Sequence, residues 1–132
     1  MYANTSLAQN AYAPASAATH TERDVEYHAF AYVTGLLAGA KDMAQEIGGK
    51  PKLAEAMFEN VRLWIALAAD AASDANQLPR ETRAQIIGLA NFARTHMDKV
   101  LAGAAEVDAL IDVNLAIMKG LRGETGEESG VA

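Results

Sequence analysis

The chain has 132 residues, 11 Lys and Arg against 17 Asp and Glu, a net charge of -6, 3 His and no Cys. One domain of this size can bury a core; the acidic balance disfavours nucleic acid and anionic membranes, which need clustered cations, and the absence of Cys excludes disulfides, thiolate metal sites and thiol catalysis. Ala accounts for 29 residues, so the core must be thin and close-packed, with few large side chains.

Residues 1–20 contain no Asp, Glu, Lys or Arg. They have little to bury beyond Tyr2, Leu7 and Tyr12, so a mobile N-terminal segment is expected. The basic start and apolar run of a secretory signal are missing. The longest apolar run, Ala29 to Ala40, falls short of the ~18 residues a membrane span needs. The expected location is therefore the cytoplasm, away from membranes. A helical bundle domain is expected over residues 21–122, and a disordered acidic tail over 123–132.

The first helix is predicted over 22–47. Thr21 is its candidate N-cap, with Glu22 and Asp24 in the first turn. Val25, Ala29, Tyr32, Val33, Leu36, Ala40, Met43 and Ile47 recur at helical spacing as the core face, and Gly48-Gly49 stops the helix. On the side away from these lie Ala31, Gly35 and Gly39 at i, i+4 and i+8, with Ala38 beside them. A mid-helix Gly costs about 0.5–1 kcal/mol against Ala. Two on one line mark a place where another backbone comes close, either one of the protein's own helices or a partner's. Tyr27 and Phe30, off the main stripe, are candidate anchors beside that line.

The second helix is predicted over 51–73, with Pro51 in its first turn. Leu53, Met57, Val61, Trp64, Ala68 and Ala71 share one face, which Phe58 and Ile65 widen. Leu63 and Leu67 fall on another side. A helix apolar on two sides is a central one or one with a partner. Trp64 is read as a core anchor. After a loop containing Asn76, Pro79 opens the third helix, predicted over 79–102 with Ile86, Leu89, Ala90, Ala93, Met97, Val100 and Leu101 inward. Gly103 ends it. The fourth, over 106–121, carries Val107, Leu110, Ile111, Ile117, Met118 and Leu121 on one stripe. Asn114 interrupts that stripe, and a buried Asn ties elements together by hydrogen bonds; the loop from Asn76 to Pro79 is its expected partner. No strand pattern and no internal repeat occur. Short connections between long helices predict an all-α, small antiparallel bundle of four helices.

Catalytic chemistry has little to build on. His20, His28 and His96 are far apart, and neither the His-x-x-x-His nor the Glu-x-x-His spacing of helical metal sites occurs. Asp24 and His28 form the one close carboxylate–His pair, at the spacing of a surface contact. No nucleophile elbow is present. Gly48-Gly49-Lys50 lacks the spacing and the following Ser or Thr of a phosphate loop. No catalytic residue, metal or cofactor is expected.

The second half carries a resemblance. The run from Asn60 through Trp64 to Asp70, the run from Asn76 through Pro79 and Arg83 to Ile87, and the run from Leu110 through Asn114 to Leu121 resemble the FlaF family of flagellar proteins. Glu26-Tyr27 followed by Phe30, Val33 and Thr34 adds to it, as does Ala11-Tyr12. Their order, spacing and total length carry the likeness over most of residues 10–122. The resemblance implies a small cytoplasmic helical protein of flagellum biogenesis, without an active site. It implies a flagellin-binding chaperone or regulator supporting flagellin synthesis and export, with the regulator FlbT as a second candidate partner.

An acidic, Cys-free bundle with a small-residue groove suits binding of an amphipathic helix, and flagellin offers such helices at its unassembled ends. The residues expected to meet a partner are Tyr27, Phe30, Ala31, Gly35, Ala38, Gly39, Leu63 and Leu67. Trp64, Asn76, Pro79 and Asn114 are expected to be structural. The alternative is a post-transcriptional regulator acting directly on flagellin mRNA. RNA binding calls for a basic stripe interleaved with aromatics, whereas Arg80, Arg83 and Arg94 are spread out and interrupted by Glu81 and Asp98, which favours a protein partner.

Overall fold

The computed structural model describes residues 20–121, which form four α-helices: α1 (His20–Asp42), α2 (Gly49–Ala72), α3 (Arg80–Leu101) and α4 (Asp108–Leu121). The expected mobile segment ahead of His20 and the expected acidic tail over 123–132 lie outside the described residues. The fold is all-α, and no strand occurs among the described residues. None of these helices is long and apolar enough to cross a membrane.

α2 is the central helix. It packs against α1 on one side and α3 on the other, while α4 lies chiefly on α1 and touches α3 sparsely. The two-sided apolar pattern of α2 therefore answers to two neighbouring helices. The core is one cluster in which Phe30, Leu37, Met57, Trp64, Ile86, Leu89, Leu110 and Ile117 are the largest fully buried apolar side chains. Small residues between them, among them Ala56, Ala71, Ala90, Ala93 and Ala116, are buried too. They let the helices approach, as the Ala-rich composition requires.

α1 ends at Asp42, not near residue 47. Residues 43–48 form a tight reversal held by Met43 N–H to Ala40 O, Ala44 N–H to Lys41 O and Glu46 N–H to Met43 O at 3.0–3.2 Å. Gly48 stands at φ 77°, a left-handed conformation that costs a side-chain-bearing residue about 1–2 kcal/mol. Gly49, the first residue of α2, lies so close to the backbone of Met43 and Ala44 that a Cβ would collide with both. Met43 and Ile47, expected in the core, sit on this reversal and are exposed.

The start of α3 is built as the sequence suggests. Pro79 is the residue just before the helix, and its carbonyl accepts from Arg83 N–H at 3.0 Å. Asn76 Oδ1 accepts from Leu78 N–H at 2.9 Å, and its Nδ2 donates to Asp70 at 3.2 Å. Arg83 Nε donates to Ala71 O at 2.6 Å and its Nη2 to Ser73 O at 3.2 Å. These are carbonyls at the end of α2 that lack intrahelical donors. Ala102 and Gly103, the latter at φ 78°, close α3. Leu101, expected inside, is exposed on the last turn.

Candidate functional site

The inward face of α1 is Phe30, Val33, Thr34, Leu37 and Ala40. Val25 and Tyr32, expected there, are 62% and 66% exposed. The stretch from Ala29 to Ala40 carries no charge on any side, so hydrophobic spacing alone does not fix which line turns inward. Volume does: Phe30 meets Trp64 edge to face, ring centroids 5.2 Å apart.

Three residues expected on a partner surface belong to the bundle instead. Phe30 is wholly buried, Leu67 is buried, and Leu63 is half-buried against the core cluster. Both leucines point toward the neighbours of α2, leaving Phe58 and Ile65, expected to widen the core face, half exposed outside.

The small-residue line stays on the surface. Gly35, Ala38 and Gly39 are exposed and Ala31 is half-buried. A Cβ built on Gly35 or Gly39 meets nothing within 4 Å. Among the described residues, no helix of the bundle packs there. Tyr27 is half-buried beside the core, its ring edge-on to His28 at 5.7 Å.

α4 runs antiparallel along the next side of α1. Arg23 Nη2 donates to Gly120 O at 2.7 Å, Thr34 Oγ1 approaches Met118 Sδ at 4.0 Å, and Lys41 Nζ bonds Asp108 at 2.9 Å. The Lys41 ammonium is held above the usual lysine range by its hydrogen bond and charge pairing with Asp108, aided by Asp42 and Asp112. One end of the α1–α4 seam therefore carries the Lys41–Asp108 pair, with the charges of Asp42 and Asp112 acting on the same ammonium.

Inside, Trp64 Nε1–H donates to Asn114 Oδ1 at 3.0 Å, and Asn114 Nδ2 donates to Asn60 Oδ1 at 2.6 Å. All three residues are fully buried. The partner of Asn114 is thus α2, not the loop from Asn76 to Pro79. Asn60 was missed as a core residue, although it falls one helical turn before Trp64 and three residues after Met57, on their line. Thr82, buried in the first turn of α3, was missed as well.

Among the described residues, no group of three or more His, Asp and Glu is placed to hold a metal ion. Among the described residues, Arg83 serves the end of α2, Arg62 pairs with Glu59 at 3.2 Å, and Arg94 bonds Asn91 at 3.3 Å. No curated protein and no solved structure matches the chain. A family model, flagellar protein FlaF, matches residues 8–121, a span that contains all four helices and both walls of the α1–α4 seam. The chain belongs to the FlaF family of flagellar proteins.

Proposed function

We propose that this flagellar protein is a flagellin-binding chaperone and regulator, which covers an amphipathic helix of flagellin in the cytoplasm and so supports flagellin synthesis and export. The observation that carries the reading is the open line of Gly35, Ala38 and Gly39 on α1. Two glycines weaken helix propensity there, and no described helix makes use of the close approach they permit. Tyr27, Ala31, Gly35, Ala38 and Gly39 are the contact residues proposed. FlbT enters the reading as a co-regulator.

Titrating labelled flagellin monomer with the purified protein tests it, beside a gel-shift assay with the flagellin mRNA leader. Saturable binding of flagellin and none of the RNA is expected. RNA binding without flagellin binding would replace the reading with direct action on the message; the dispersed arginines speak against that outcome.

A further inference from the structure

We propose that α4 is a detachable lid on the bundle. It leaves and returns as a unit while α1, α2 and α3 stay folded, and its departure uncovers Trp64, Asn60 and Thr34. Such a switch is internal to the chain, whatever partner the protein takes.

α3 and α4 are both edge helices, each resting chiefly on one neighbour, α3 on α2 and α4 on α1. Their seats differ. α3 has 22 residues along α2, and Arg83 clamps its first turn to the carbonyls of Ala71 and Ser73. α4 has only 14 residues, meets α3 sparsely, and is bonded to α2 through the side chain of Asn114. Its ends are tied to α1 by Arg23 to Gly120 O and by the Lys41–Asp108 pair, whose side chains are 46% and 51% exposed. An ion pair so exposed to water holds little.

The polar groups of the core gather under α4. Among the described residues, the buried polar side chains are Thr34, Asn60, Thr82 and Asn114. Thr82 sits in the first turn of α3. The other three meet at α4: Thr34 faces Met118, and Asn60 and Trp64 Nε1–H bond Asn114. An amide, an indole N–H and a hydroxyl regain hydrogen bonds once wetted, so this seat loses less on opening than an apolar seat of equal area. Asn60 Nδ2 gains outright, because in the closed form it is buried without a partner. The lid also melts when it leaves, since a lone helix of 14 residues is marginal in water, and the chain entropy released favours the open form. The connection stays behind on α3. Ala104 N–H bonds Lys99 O at 2.8 Å and His96 Nε2 lies 2.7 Å from Glu106 O, so the break falls just after Glu106.

Hydrogen exchange of the full chain, followed amide by amide in water and in urea below the unfolding transition, tests the lid. Amides of Asn114 to Ile117 are expected to exchange roughly tenfold or more faster than those of Val61 to Ile65 and of Leu89 to Ala93, corrected for intrinsic rates. Their dependence on urea should be shallower, since less surface is uncovered. Arg83→Met removes a clamp that the closed and the open form both keep. It is expected to speed exchange in α2 and α3 and to leave α4 at the parental rate. Asn114→Leu strands Trp64 Nε1–H and Asn60 Oδ1 only while the lid is shut, and is expected to speed exchange in α4 by roughly tenfold or more. One urea slope for all four helices, with Arg83→Met speeding α4 as much as α2 and α3, overturns the lid, because the bundle then opens all at once. Faster exchange in α3 than in α4 overturns it as well, the loose edge being the other one. Exchange in α4 that Asn114→Leu does not change overturns the role given to the polar seat. The urea series on the parental chain separates a lid from an all-or-none bundle even where a variant fails to fold.

Discussion

Asn114 gives its amide oxygen to Trp64 and its amide nitrogen to Asn60, so one side chain of α4 answers two buried groups of the central helix. Leaving a buried polar group without its partner costs about 1–3 kcal/mol. Asn114→Leu strands two, Trp64 Nε1–H and Asn60 Oδ1. Asn60→Leu strands only Asn114 Nδ2, and it removes an Asn60 Nδ2 that already has no partner. Asn114→Leu should therefore destabilise the fold more than Asn60→Leu, a difference read from urea midpoints at constant slope. Trp64→Ala adds the loss of the Phe30 contact to that of the hydrogen bond and should cost about 3–5 kcal/mol. The burial of Trp64 and Asn114 was legible from their neighbours on one stripe. The identity of the Asn114 partner was not, because a stripe shows which residues face inward and never which helix they face.

At the scale of elements, helix number and most ends were written in Gly and Pro, and the exception is instructive. Gly48-Gly49 marks where α1 must already have stopped, but not how many residues the reversal needs. Contact of Gly49 with the backbone of Met43 and Ala44 pulls the last turn out of the helix. Gly48→Ala should cost about 1–2 kcal/mol, the penalty of a side chain at positive φ. Gly49→Ala should cost more, since two backbone segments must separate; thermal melting of the two variants gives the order. Lys41 and Asp108 join the far end of α1 to the start of α4 across the surface. The folded state holds the Lys41 proton more tightly than the unfolded chain does. The contribution of the pair is therefore complete below the ordinary lysine range and is lost as pH rises through the raised value. Parental protein should lose slightly more stability on strongly alkaline titration than Lys41→Met, and added salt should shrink that difference.

Across the whole molecule, the observed inward face of α1 is turned by about a quarter of the helix circumference from the one that spacing puts inward, and the small-residue line survives the correction on the surface. Phe30 and Leu67 move inside because the bundle needs their volume beside an Ala-rich core; Gly35, Ala38 and Gly39 stay out because nothing large on the bundle reaches them. Gly35→Leu separates the two uses such a line can have. Its side chain enters open space in the described part of the molecule, and replacing a mid-helix Gly recovers about 0.5–1 kcal/mol of helix propensity. The variant should therefore melt at or slightly above the parent. Its Leu would also occupy the floor on which a bound helix must rest, so flagellin affinity should fall by roughly tenfold or more. Melting measured beside a flagellin titration decides the matter. A Gly35→Leu variant that melts early would mean that another part of the chain packs on this line, since overpacking costs about 1–3 kcal/mol. One that melts normally and binds flagellin as the parent does would remove the line from the binding surface.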